Sequence, residues 1–225
     1  LQNMLDECFK FSVANGISFN ASKCVCLKIG KNCNEKIADM NIGPRTILWV
    51  ITFKYLGVSF IAGTCLLFDT SYVKKKFYGV LNSLMRGCNA AVESVKVFLT
   101  KTFCLPILTY SLGALKLDRT VVKAVGVCWN DAFRKIFGLN RWDSVSCIQG
   151  FCNELSFSYI YDLYRWNFLY NCASSCAPVS FLVALDNPEL QKFVALYGTN
   201  KVSASMRKTA IMKHFLDKCM PAGAV

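Results

Sequence analysis

The spacing of apolar residues changes period once, near Asp69, and that switch constrains the fold more than any other feature of the sequence. Before it, Ser22 to Ile29 alternates, with Cys24, Cys26 and Lys28 facing one way and Val25, Leu27 and Ile29 the other, the period of a strand. After it, Val73, Phe77, Val80, Leu84, Cys88 and Ala91 recur three or four residues apart, the period of a helix. Strands followed by helices predict an α+β chain, with short antiparallel strands at the N-terminal end and a mostly α-helical remainder.

Punctuation marks the elements. Leu1, Met4, Leu5, Cys8 and Phe9 predict an opening helix over Leu1 to Val13, stopped by Asn15-Gly16. Gly30 to Asn34 is a polar turn, and Ile47 to Phe53 and Tyr55 to Ile61 read as a hairpin or adjacent strands on either side of Lys54. Asp69, Thr70 and Ser71 can each cap the next helix. Its other face carries Lys75, Tyr78, Asn82, Arg86 and Asn89, a row about 20 Å long by helix rise that suits either solvent or an anionic ligand.

Ser94 caps a second predicted helix, which must kink or break near Pro106. A third should span Asp118 to Phe137, with Val121, Val125, Cys128, Trp129, Ala132 and Ile136 inward, Lys123, Asn130 and Arg134 outward, and Gly138 ending it. Further helical patches lie at Phe157 to Tyr170, Ser180 to Leu185, Pro188 to Tyr197 and Ser205 to Cys219. Three segments follow: 1–68, 69–140 and 141–225.

Composition narrows the function classes. Apolar residues make up 54% of the chain, yet the longest uncharged stretch, Trp166 to Leu185, is broken by Asn, Ser and Pro, so no membrane span is expected. The 13 cysteines are odd in number and lie mostly in apolar runs, which predicts reduced core thiols in an intracellular protein of cytoplasm or nucleus. The net charge of +12 is concentrated in residues 69–140, and such a surplus is what a polyanion-binding surface needs. The chain opens at Leu1 inside a helix with no leader ahead of it, which predicts an N-terminally truncated segment.

Four ordered motifs carry a resemblance. Asn15-Gly16-Ile17-Ser18-Phe19-Asn20-Ala21-Ser22-Lys23-Cys24 sets a glycine turn and Asn-x-x-Lys before a strand, and about 30 residues later comes Phe53-Lys54-Tyr55-Leu56-Gly57-Val58. Then follow Lys101-Thr102-Phe103-Cys104-Leu105-Pro106-Ile107-Leu108-Thr109-Tyr110 and Trp129-Asn130-Asp131-Ala132-Phe133-Arg134-Lys135-Ile136-Phe137-Gly138. In kind, order and spacing these resemble the end of the palm, the primer grip and the thumb of reverse transcriptases from non-LTR (LINE-type) retrotransposons. The resemblance covers roughly residues 1–142, and residues 143–225 carry none of it.

The resemblance implies an RNA-directed DNA polymerase fragment in three parts: palm end (1–68), helical thumb (69–140) and a helical C-terminal region of unassigned role (141–225). It implies an RNA template and a DNA primer as partners, together with N-terminal palm and fingers that would precede Leu1. Mg²⁺ is expected for the full-length family enzyme but not in this chain, because the metal-binding Tyr-Ala-Asp-Asp box would also precede Leu1. The adjacent Asp6-Glu7 pair lacks the Tyr-Ala turn and is not expected to bind metal.

By the same resemblance Lys23 matches an auxiliary lysine near the leaving pyrophosphate, although a surface lysine at a strand entrance fits equally. Tyr55, Leu56 and Gly57 would press on the primer backbone, where a missing Cβ permits close approach. Lys75, Arg86, Lys96, Lys101, Lys123 and Arg134 would contact phosphates, without reading bases. Cys172-x3-Cys176 with His214-x4-Cys219 superficially resembles a zinc knuckle, but 37 residues separate the halves, so no metal is expected. Two functions are thus in play: a polymerase fragment inactive alone, or a non-enzymatic basic nucleic-acid or protein-binding module derived from a retrotransposon. Palm strands lacking their partners would also leave an apolar seam and open sheet edges.

Overall fold

The computed structural model describes residues 1–33, 35, 37–174, 188–198 and 203–219. The chain is α+β and divides into two compact units, Leu1–Asp69 and Thr70–Val225.

In the first unit, helix α1 (Gln2–Ala14) packs against the first of two small sheets. The Gln2 side chain bonds both the carbonyl and the amide of Asn41, each at 2.9 Å, tying the helix to the strand that carries Asn41. Strands β1 (Val25–Cys26), β2 (Met40–Ile42) and β3 (Arg45–Trp49) form one sheet in the order β1-β3-β2. Strands β4 (Thr52–Tyr55), β5 (Val58–Ile61) and β6 (Leu67–Phe68) form the other. All pairings are antiparallel except β1 with β3, which is parallel.

Two strand expectations are revised. The Ser22–Ile29 alternation yields a strand of only two residues, because Asn20 caps a 3₁₀ turn over Ala21–Lys23 and takes up the start of the run. The Ile47–Phe53 stretch is shared between two sheets, its first half in β3 and its last two residues in β4. The core here is Ala21, Ile42 and Ile47, joined by Leu5 and Phe9 of α1. Leu1, Met4 and Cys8 of the predicted stripe face outward instead.

The second unit is helical: α2 (Thr70–Gly87), α3 (Glu93–Leu99), α4 (Leu105–Thr109), α5 (Arg119–Phe137), α6 (Ser146–Phe151), α7 (Phe157–Ala173), α8 (Pro188–Tyr197) and α9 (Ala204–Cys219). Between α3 and α4 the chain widens into a π-helical turn over Thr100–Cys104. Pro106 has no N–H to return to the carbonyl of Thr102, so the expected kink takes this form. Val92, not Ser94, precedes the first turn of α3. Helix α5 starts where the Asp118 carboxylate accepts from the Thr120 amide at 3.1 Å and stops at Gly138, whose φ of +64° suits a residue without a side chain.

One continuous core runs from Phe77 to Phe215. Its centre is Trp129, fully buried, whose indole N–H donates to the Leu155 carbonyl at 3.0 Å. Leu81, Val122 and Phe133 join it although the predicted stripes omitted them. Helix α7 is anchored by Arg165, whose guanidinium donates to Glu189 at 2.8 and 2.9 Å and to the Gly113 carbonyl at 2.9 Å. The expected patch at Ser180 to Leu185 lies outside the described residues. Among the described residues no helix is long and apolar enough to cross a membrane.

Candidate nucleic-acid interface

The β4–β5 register pairs Tyr55 with Val58, so Leu56 and Gly57 form a two-residue hairpin turn that begins two residues beyond Lys54. Both turn residues have positive φ, +46° and +83°. That geometry matches the twist of the flanking strands and is easy for glycine. For a leucine it costs on the order of 1 kcal/mol or more. Tyr55 and Leu56 are 57% and 72% exposed, so the tip presents an aromatic ring and a strained aliphatic side chain outward. Phe53 and Tyr55 share one face of β4, with ring centroids 6.1 Å apart. Lys23 is exposed at the end of the 3₁₀ turn, just ahead of β1.

In the second unit, the middle of the polar row on α2, Tyr78 and Asn82, forms a seam with α5. The Tyr78 hydroxyl donates to Asp131 at 2.6 Å, and Lys135 donates to Asn82 at 2.6 Å. Burial first, and the Asp131 hydrogen bond after it, push the Tyr78 phenol well above its ordinary value, so it stays a donor. Asp131 also receives Arg134 at 2.9 Å, and the same guanidinium donates twice to the Asp143 carbonyl.

The six basic candidates therefore separate. Lys75 and Arg86, at the two ends of α2, are exposed, and so is Lys123 on α5; Lys96 is half-buried. Lys101 is ion-paired with the largely buried Glu154, and Arg134 holds the loop after α5, so both already have internal anionic or carbonyl partners. Lys123 lines a cavity in which α2 takes no part.

Sequence periodicity passed over two further groups. Lys76 is exposed and Lys74 half-exposed beside Lys75, and the Lys-Lys-Lys run was their signal. Trp142 is 87% exposed on the loop after α5, with the Arg141 guanidinium 5.5 Å from its ring. Loops have no period, so only the Arg-Trp dipeptide could have marked it.

The described carboxylates do not gather as a two-metal centre requires. Asp6 accepts from Gln2 at 2.7 Å, Glu7 pairs with Lys10 at 2.7 Å, and among the described residues no three His, Cys, Asp or Glu side chains gather around one point. Of the superficial knuckle, Cys176 lies outside the described residues, while His214 packs against the rings of Tyr159 and Tyr197. No family model, curated protein or solved structure matches the chain.

Proposed function

We propose that this chain is the primer-template-binding end of a non-LTR retrotransposon reverse transcriptase, holding nucleic-acid backbone and performing no chemistry alone. The observation that carries this reading is the hairpin tip. A Tyr-Leu-Gly turn with two positive φ values, its Tyr and Leu exposed, is a surface on which another backbone can rest. Exposed Lys75, Arg86 and Lys123 add charge suited to phosphates. The apolar surface of the first unit, including Leu48 and Ile51, is what a palm's remaining strands would cover.

The continuous core of the second unit favours a second reading, a self-standing basic binding module descended from such an element. Both readings place phosphate contacts on α2. In filter binding to an RNA–DNA hybrid, Lys75→Glu with Arg86→Glu should lower the slope of log affinity against log salt by about 2, roughly one per phosphate contact removed. An unchanged slope would remove α2 from the interface. Appending a Tyr-Ala-Asp-Asp-bearing palm in trans and recovering Mg²⁺-dependent extension would separate the polymerase fragment from the module.

A further inference from the structure

We propose that the cleft lined by α5, α7, α8 and α9 is a nucleotide-binding site, taking a phosphate on its basic rim and a base against its aromatic lining. The cleft holds about 530 Å³, room for one nucleotide. It lies wholly within the second unit and contains none of the hairpin-tip or α2 residues, so apart from Lys123 it is distinct from the surface above.

Four cations converge on it: Arg119 and Lys123 from successive turns of α5, Lys192 from α8 and Lys218 from α9. None forms a salt bridge among the described residues, in contrast to Lys101, Arg134 and Arg165, whose charges are matched inside the fold. The acids in the lining are Asp162 and Glu189. Glu189 is held by Arg165 at 2.8 Å, Asp162 accepts from the Tyr197 hydroxyl at 2.9 Å, and among the described residues neither forms a salt bridge with a rim cation. Burial raises the Asp162 carboxyl above its ordinary value, with Lys192 and Arg119 pulling the other way. The rim therefore keeps a net positive field, of the kind that concentrates phosphate-bearing ligands.

The lining is aromatic where the rim is not. Tyr159 and His214 are half-buried with ring centroids 6.1 Å apart, and His214 meets Tyr197 edge-on at 5.4 Å. Cations beside flat rings are the combination that holds a nucleotide without reading its sequence. Phosphate and base together could come from a free mononucleotide or from the end of a single strand.

The test is calorimetric titration of the full chain with AMP, adenosine and a 5′-phosphorylated oligo(dA) of about ten nucleotides. AMP or the oligonucleotide should bind and adenosine should bind about tenfold more weakly, the share carried by the phosphate. Lys123→Glu with Lys192→Glu, both exposed, should cost about tenfold again with the melting temperature unchanged. Binding of AMP assigns a free nucleotide, and binding of the oligonucleotide alone assigns a strand end. Binding of neither, or binding that the double variant retains, overturns the site. Only Lys123 is shared with the proposed duplex contacts, so a Lys192→Glu defect confined to AMP or oligo(dA) and absent for the RNA–DNA hybrid separates the two proposals.

Discussion

The two units differ in how large a core their apolar residues build, although both leave apolar side chains exposed. Leu1–Asp69 gathers Ala21, Ile42 and Ile47 into a small core and leaves Phe11, Ile17, Phe19, Leu48, Ile51 and Leu56 exposed. Thr70–Val225 gathers its aromatic and aliphatic stripes into one core centred on Trp129, Phe133 and Trp166. Small cores leave little margin over chain entropy, and exposed apolar patches mark surfaces that associate. The first unit thus shows the kind of surface that associates, while the second encloses one continuous interior.

The largest expected effects lie in the second unit. Trp129→Ala removes a fully buried indole and its hydrogen bond to Leu155, at a cost of about 3–5 kcal/mol, read by denaturant unfolding. Ile47→Ala should cost about 2 kcal/mol, and in hydrogen exchange it should expose residues 1–69 while leaving the amides of α5 protected. Equal loss of protection in both units would break the contrast.

A smaller effect runs the other way at the hairpin. Leu56→Gly relieves the positive-φ cost and should stabilise the turn by about 1 kcal/mol while weakening hybrid binding. A variant both more stable and equally tight would leave the leucine without a binding role.

The smallest expected effect is a pH dependence. Burial raises the Asp162 carboxyl, so its contribution favours folding most fully below the ordinary carboxylate value and is lost as pH rises from there through the raised folded value. Asp162→Asn keeps an acceptor for Tyr197 and should flatten that part of the stability profile, raising stability at neutral pH. A profile unchanged by the substitution would show that the carboxyl is well solvated.

Much of the helical unit was legible because caps and periods are local. Asp118, Gly138 and the stripe between them bound α5 to within one residue, Pro106 marked the break that takes the form of a π turn, and Pro188 to Tyr197 is a helix as spaced. What covers a face is not local. The row Tyr78, Asn82 was visible on α2, but only the fold shows Asp131 and Lys135 of α5 lying over it. Strands fared worse for the same reason. Ile47 and Phe53 stand in one apolar run, and no property of that run says that Trp49 pairs with Cys26 in parallel while Thr52 pairs with Ile61 in a second sheet. Among the basic candidates, charge was readable, but the partners of Lys101 and Arg134 lie 53 residues away and across a turn.

The most direct test of backbone binding is the affinity of the intact chain for an RNA–DNA hybrid, measured by fluorescence anisotropy across a salt series. With Lys75, Arg86, Lys96 and Lys123 as phosphate contacts, log affinity should fall against log salt with a slope of about −3 to −4, equally for unrelated sequences. A slope near zero, or affinity that depends on base sequence, would contradict it.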